Sequence, residues 1–180
     1  ELDIDGRGQY EIATGNGMFD HLLAQLSRHG LIDLKVSGQG DVEVGWHHLV
    51  EDSAIVVGRA LREAVGDARG ITRMSHAYVP LDEALALVVV DFGGRGYAVL
   101  DTGLGEEGDL GGLSGSLLTH FLETLAREGQ FNLHVRLLAG ANNHHKAEAI
   151  FKALARALRS ALTRDPRLGD QVPSTKETIG

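Results

Sequence analysis

Residues 21–36, HLLAQLSRHGLIDLKV, and residues 120–135, HFLETLAREGQFNLHV, are two copies of one pattern. Seven of the sixteen aligned positions are identical, including the histidine that opens each copy, His21 or His120. Each copy is followed by the letters H-H-x-x-E, which begin 26 residues after His21 and 24 residues after His120. Because three histidines and one glutamate recur in the same order, the sequence predicts a duplicated unit rather than a chance match of two amphipathic helices.

The two H-H-x-x-E motifs are His47-His48-x-x-Glu51 and His144-His145-x-x-Glu148. On a helix, the first histidine and the glutamate four positions later share one face. The middle histidine points about 100° away, toward a different partner. Imidazole and carboxylate suit Mn, Fe, Co, Ni or Zn, and the chain has no cysteine that would favour softer metals. Two such motifs on related halves predict a pair of mixed metal sites.

An exposed surface pair of His and Glu is the ordinary alternative for one motif alone. Two motifs, each preceded by a lone histidine, make that alternative weak. The set supplies four ligands for each of two metals and leaves positions open for a substrate, as catalytic sites do. The candidate metal ligands are His21, His47, His48, Glu51, His120, His144, His145 and Glu148.

The composition excludes several classes of protein. At 180 residues, 43% of them apolar, the chain is long enough for a substantial core. A net charge of −8 argues against nucleic acid and anionic membrane as partners. The lack of cysteine suits a reducing compartment. No apolar stretch reaches the roughly 18 residues of a membrane span, and no leader-like segment stands at the start. We therefore expect a cytoplasmic protein.

Periodicity divides the chain into a first repeat half, 1–72, and a second, 73–180, which ends in an irregular tail. In the first half it predicts strands at 10–15 and 33–44, and helices at 17–29, closed by Gly30, and at 46–65. In the second half it predicts strands at 76–83, 84–92, 96–101 and 131–140, and helices at 113–128 and 143–163. The strand at 84–92 is almost wholly apolar, so we expect it in the centre of its sheet. The Gly-rich acidic segment 103–112 predicts a mobile loop.

Several basic and hydroxyl side chains are candidates for anion binding, although a single Lys or Arg is more often a solvated surface charge. Lys152 lies four residues after Glu148 on the same predicted helix, and Arg95 lies in GGRG, where glycines allow a close backbone approach. Ser174 and Lys176 follow Pro173 in the tail. Together they favour a phosphorylated substrate.

Five segments together resemble the imidazoleglycerol-phosphate dehydratase family over nearly the whole chain: 15–30 (GNGMFDHLLAQLSRHG), 45–61 (GWHHLVEDSAIVVGRAL), 78–97 (YVPLDEALALVVVDFGGRGY), 142–158 (NNHHKAEAIFKALARAL) and 172–176 (VPSTK). The resemblance implies an α+β fold, a duplicated two-layer unit in which each half is a four-stranded sheet packed with two helices, as in domain 2 of ribosomal protein S5. It further implies two Mn²⁺ ions per site and a homo-oligomer, a 24-mer built from trimers, with sites between subunits.

The resemblance also implies roles for individual residues. His47 and Glu51 would share one metal with His120 and His145, and His144 and Glu148 would share the other with His21 and His48. Glu51, Glu148, His48 and His145 would take part in catalysis. The residues implied to contact substrate, chiefly its phosphate, are Gln25, Arg73, Arg95, Lys152, Ser174 and Lys176.

The implied reaction is removal of water from imidazole glycerol phosphate to give imidazole acetol phosphate, with two metal ions holding the imidazole ring as imidazolate. A dinuclear metallohydrolase acting on a phosphate ester, or a non-catalytic metal-assembled shell protein, are the alternatives.

The sequence departs from the family pattern at both ends and at one internal segment. Family members carry an Arg-x-Thr-x-Glu-Thr strand ahead of the segment matched by ELDIDG, whereas this sequence starts at Glu1. The tail reads STKETIG where STKGVL or similar is usual, and GGRG stands in place of SGRP. The resemblance leaves two candidates for the general base, a metal-binding glutamate or the glutamate of that N-terminal strand.

Overall fold

The computed structural model describes residues 1–105 and 110–179, the side chain of Val42 excepted. The acidic centre of the predicted loop, 106–109, lies outside these ranges. The first half contains strands and helices at β1 (Leu2–Asp3), β2 (Tyr10–Ala13), α1 (Gly17–Gly30), β3 (Asp33–Ser37) and α2 (His47–Val65). The second half contains β4 (Met74–Leu81), β5 (Ala84–Asp91), β6 (Tyr97–Asp101), α3 (Gly115–Gly129), β7 (Asn132–Ala139) and α4 (Asn143–Leu162).

The strand pairing confirms the predicted α+β fold with a duplicated unit. The first sheet has the order β1-β3-β2 and the second has the order β4-β5-β7-β6. β1 is antiparallel and β2 parallel to β3, just as β5 is antiparallel and β6 parallel to β7. β5 lies between two strands, as its apolar sequence predicts.

The prediction of four strands in each half is wrong for the first half, whose sheet has three strands among the described residues. The unmatched strand is β4, which pairs with the outer edge of β5 and packs against α4. The edge of β1 that faces away from β3 pairs with no strand among the described residues. At that place a groove of about 710 Å³ lies open between the sheet and α2, with Leu34, Leu49 and Val57 among its walls.

Two local predictions are also wrong. The strand expected over 33–44 ends at Ser37, and Val42–Val44 forms a short 3-10 helix instead. Gly30 is the last residue of α1 and not its left-handed cap, which is Leu31 with φ 53°. The corresponding cap of α3 is Gln130 with φ 52°, after Gly129. A side chain at Gly129 would collide with the ring of Phe131, so the glycines serve close packing rather than backbone freedom.

One apolar core unites the two halves. α1 packs on α4, and α2 packs on α3. At the centre, the buried rings of Phe19 and Phe121 meet edge to face at 5.4 Å, and Phe121 stacks on Phe151 at 5.7 Å. Each helix pair therefore joins one helix of the first half to one of the second, and this pairing sets the position of the motifs. Within the described ranges, no helix is long and apolar enough to cross a bilayer.

Candidate metal centre

The first cluster of metal-binding side chains lies between α2 and α3. His120 Nε2 is 3.2 Å from Glu51 Oε1, and His47 Nε2 is 3.8 Å from Glu51 Oε2. The rings of His47 and His120 stack with their centroids 5.2 Å apart. One ligand atom from each of the three side chains lies within 4.8 Å of the other two. The i, i+4 spacing places His47 and Glu51 on the face of α2 that meets α3.

The second cluster repeats this arrangement between α1 and α4. His21 Nε2 and His144 Nε2 each lie 3.1 Å from the same oxygen, Glu148 Oε2. The rings of His21 and His144 are 5.7 Å apart. Both clusters therefore consist of a lone histidine from one half and the outer two residues of the motif from the other half.

The donor sets fit a divalent transition metal. Each cluster offers two imidazoles and one carboxylate, which suit Mn, Fe, Co, Ni or Zn. All three side chains of a cluster project from helices that pack on each other, so the helix packing brings them together. Three protein ligands leave coordination positions open for a further ligand or a substrate.

The middle histidines do not join a cluster of their own chain. The ring of His48 lies 6.1 Å from that of His47 at 84°, and the ring of His145 lies 6.2 Å from that of His144 at 85°. The middle histidine of each motif thus points away from the first histidine, as the helical spacing predicts. The implied sharing of His145 with the first metal and of His48 with the second is absent within the described part of one chain, and it stays a prediction about neighbouring chains.

Glu148 is the more enclosed of the two carboxylates. It is 9% exposed, and Lys152 Nζ lies 2.6 Å from its Oε1. Burial by itself raises the pKa of Glu148, but hydrogen bonds with Lys152 and His21 outweigh it and lower the pKa to about 2. The carboxylate is thus ionised at neutral pH and able to bind a cation.

The structure separates the predicted substrate-binding residues into two groups. Gln25 and Lys152 adjoin the second cluster, with Gln25 Nε2 3.4 Å from His21 Nε2. The others line a cavity of about 530 Å³ formed with the tail, namely Arg73, Arg95, Ser174 and Lys176. No cluster residue lines this cavity in the part of the chain that the structure describes.

Arg73 differs from the other cations of this cavity. Its guanidinium donates to both oxygens of Asp91, at 2.7 and 3.1 Å, and to the carbonyl oxygen of Pro173 at 2.8 Å. Its φ of 72° is unusual for a residue with a side chain. Arg73 therefore anchors the tail to β5, while Arg95 and Lys176 are without such a bidentate partner among the described residues.

Sequence reasoning missed two carboxylates that contact the middle histidines. His48 Nδ1 lies 2.9 and 3.0 Å from the oxygens of Asp41, and His145 Nδ1 lies 2.7 Å from Glu83 Oε2. These contacts raise the pKa of both histidines. Glu83 is 62 positions from its histidine, so no local spacing could have signalled it.

Two asparagine side chains that cap helices were also not predicted to have a role. Asn16 accepts a hydrogen bond from Phe19 N and donates one to the carbonyl oxygen of Gly111, which ties the start of α1 to the second half. Asn142 Oδ1 accepts from the backbone N–H groups of His144 and His145. It therefore fixes the turn of α4 that carries the motif.

Comparison with known proteins settles the family. A family model described as imidazoleglycerol-phosphate dehydratase matches residues 14–158. The chain belongs to the imidazoleglycerol-phosphate dehydratase family. The dehydratase of Dehalococcoides mccartyi is 54% identical over 175 residues, which cover 97% of this chain and 87% of that protein. The dehydratase of Acidiphilium cryptum is 50% identical, with 99% and 90% covered.

Solved structures of the family agree in fold. The crystal structure of imidazoleglycerol-phosphate dehydratase from Staphylococcus aureus superposes with a TM-score of 0.83 at 36% identity, covering 91% of this chain and 92% of that one. The enzyme from Pyrococcus furiosus gives a TM-score of 0.80 at 33% identity, with 99% and 94% covered. These findings confirm the family and the fold that the five segments predict.

Proposed function

We propose that this chain is a hydro-lyase of histidine biosynthesis that converts imidazole glycerol phosphate to imidazole acetol phosphate, with two Mn²⁺ ions at each site. The observation that carries the proposal is the pair of equivalent clusters, each with two histidines and one glutamate, in a member of this dehydratase family. A cavity lined by Arg95, Ser174 and Lys176 supplies the positive charge and hydroxyl group that a phosphate needs.

Different side chains would act on the two ends of the substrate, the imidazole ring and the phosphate. The three ligands of each cluster would hold the ions, which when bound supply Lewis acidity that favours the imidazolate form of the substrate ring. Gln25 and Lys152, beside the second cluster, can orient the ring and the carbon chain. Arg95 and Lys176 bind the phosphate and fix the distance of the reacting carbons from the clusters. A glutamate of the clusters would accept the proton removed from the carbon chain and return it to the departing hydroxyl, which leaves as water. Glu51 suits this role better than Glu148, because the low pKa of Glu148 makes it a weak base.

The proposed enzyme works as a homo-oligomer, a 24-mer built from trimers. His48 and His145 project away from the clusters of their own chain, and the phosphate cavity has no cluster residue among its described walls. A site assembled between chains would bring a middle histidine to each cluster and would place the phosphate cavity beside the clusters. The outer face of the second sheet offers a surface for association, since it exposes Tyr78, Val89, Val99 and Leu138.

Dehydratase activity on the metal-free chain, with and without added Mn²⁺, tests the proposal. We expect imidazole acetol phosphate to form only with the metal. Release of inorganic phosphate without dehydration would favour a dinuclear metallohydrolase instead. Tight Mn²⁺ binding without either reaction would favour a non-catalytic, metal-assembled shell.

A further inference from the structure

We infer that Asp41 and Glu83 are positioning residues that hold His48 and His145 with Nδ1 bonded inside the chain and Nε2 turned outward as a metal ligand. The inference rests on the proposed function for the identity of the ligand, but its geometry is independent of any ion. Both oxygens of Asp41 lie within 3.0 Å of His48 Nδ1, and Glu83 Oε2 lies 2.7 Å from His145 Nδ1.

The chemistry of these contacts selects one tautomer. An ionised carboxylate can only accept hydrogen bonds, so the ring nitrogen beside it must carry the proton. In a neutral imidazole, Nε2 then holds the free electron pair that binds a metal. A carboxylate at the opposite nitrogen also fixes the plane of the ring and makes Nε2 a stronger donor to the metal.

The outward nitrogens are open to a ligand. Neither His48 Nε2 nor His145 Nε2 makes a hydrogen bond within the described part of the chain, and the carboxylate of Asp82 stands 3.8 Å from the latter. The side chain of His48 is 61% exposed and that of His145 is 30% exposed. Both nitrogens are therefore accessible from outside the chain.

The two carboxylates come from unrelated places in the repeat. Asp41 lies between β3 and α2, in the first half. The matching segment between β7 and α4, residues 140–142, contains no acid. Glu83, from the turn between β4 and β5, fills that place and accepts the backbone N–H groups of Ala141 and Asn142 at 3.1 and 2.8 Å. Simple inheritance from a duplicated unit does not explain this, whereas a common need to orient the middle histidine does.

An ordinary surface ion pair is the competing explanation, and it makes different predictions. Such a pair contributes little to stability, and its removal would leave metal binding unchanged. A positioning residue acts through the ring, so its removal changes the tautomer and the affinity for the ion. Loss of such a contact weakens metal binding about 10- to 100-fold.

The test compares Asp41→Ala with Asp52→Ala in the full chain. Asp52 is the matched control, since it adds negative charge near His48 without a hydrogen bond to the ring. Long-range ¹H–¹⁵N spectra of the metal-free protein, recorded at alkaline pH where the ring is neutral, report the tautomer of His48, and calorimetry with Mn²⁺ reports affinity. We expect Asp41→Ala alone to lose the fixed Nδ1–H tautomer and to bind Mn²⁺ about 10- to 100-fold more weakly.

Identical spectra and affinities for the two variants would overturn the inference. Glu83→Gln provides the second measurement, on His145, because the amide can still accept from the backbone of Ala141 and Asn142 and so keep α4 folded. If the unaltered chain bound no Mn²⁺ at all, the proposed function would fall. The tautomers of His48 and His145 would still decide whether the carboxylates position the rings.

Discussion

His21 and Glu148 are 127 positions apart in the chain, yet His21 Nε2 lies 3.1 Å from Glu148 Oε2. His120 and Glu51 make the same contact in reverse, 69 positions apart and at 3.2 Å. The packing of α1 on α4 and of α2 on α3 brings these pairs together. The two clusters thus have the same donor set and the same origin in the repeat, although only Glu148 also contacts a lysine. Variants at corresponding ligand positions should therefore have corresponding effects.

His47→Ala and His144→Ala should each abolish dehydration and weaken metal binding with similar severity. Each removes one of three ligands from a cluster whose geometry matches the other. Turnover and Mn²⁺ titration on the purified variants would measure this, with Glu63→Ala, an exposed position on α2, as the control. Unaltered activity in either histidine variant would argue against a reaction that needs both clusters.

Lys176→Ala should raise KM more than it lowers kcat, because the side chain lies in the phosphate cavity rather than at a cluster. Loss of one charge-assisted contact costs about 1.5–3 kcal/mol of binding. Steady-state kinetics would separate the two constants. Lys35→Ala, which removes a lysine paired with Glu11 on the first sheet, should leave both constants unchanged. A lowered kcat at constant KM would place Lys176 at the reacting carbons instead.

Gly58→Ala should destabilise the protein by about 1–3 kcal/mol, the usual cost of overpacking. A Cβ at this position of α2 would come within 2.9 Å of the carbonyl oxygen of Leu125 and 3.0 Å of Gly129 N on α3. Gly17→Ala is the control, since a Cβ there meets no atom within 4 Å. Denaturant unfolding of both variants would compare them. Equal stability would mean that α2 and α3 can separate at little cost.

Asp33→Asn should lower the free energy of unfolding at neutral pH. Backbone N–H groups of Gln9 and Arg7 donate to Asp33 Oδ1 at 2.8 and 2.7 Å, and these bonds lower the pKa of Asp33 below its ordinary value of 3.8. The stabilisation is therefore complete above pH 3.8 and is lost as the pH falls through the pKa of the folded state. The difference between variant and parent should shrink over that acid range.

Thermal melts across this pH range would follow the effect of Asp33. Asp5→Asn changes the same type of side chain nearby, and the Asp5 carboxylate makes no hydrogen bond within the described ranges. It should show no such pH-dependent difference. A constant difference between Asp33→Asn and the parent at every pH would assign the effect to shape rather than charge.

Chelation should leave a smaller assembly, and added Mn²⁺ should restore the larger one. Ions that bridge chains contribute binding free energy only to the associated state. Light scattering on the metal-free and reloaded protein would measure both masses. The same mass in both samples would mean that apolar contacts, such as those of the face around Tyr78 and Val89, are sufficient for assembly.

Local patterns in the sequence predicted the structural features that residues close together in the chain determine. The i, i+4 spacing placed His47 with Glu51 and His144 with Glu148 on shared helix faces, and the structure brings both pairs into clusters. The repeat predicted the duplicated architecture. The end of the strand at Ser37 was missed, because residues 38–44 alternate in polarity but pair with no strand among the described residues.

Features that depend on distant contacts could not be predicted from local spacing. The contact of Glu83 with His145 depends on the β4–β5 turn reaching the start of α4. The left-handed caps at Leu31 and Gln130 depend on glycines being used for close packing one residue earlier. The separation of the Lys176 cavity from both clusters is likewise visible only in three dimensions.

Each cluster combines the lone histidine of one half with the motif of the other half, and this arrangement has an evolutionary consequence. A chain of half this length would own one lone histidine and one His-His-x-x-Glu motif, on helices whose main helical partners in this fold belong to the other half. It could complete a three-ligand cluster only by dimerising with a second copy, which would create two clusters related by symmetry. Gene fusion of such a dimer would convert both shared sites into sites within one chain and free each half to diverge, as the unrelated origins of Asp41 and Glu83 illustrate.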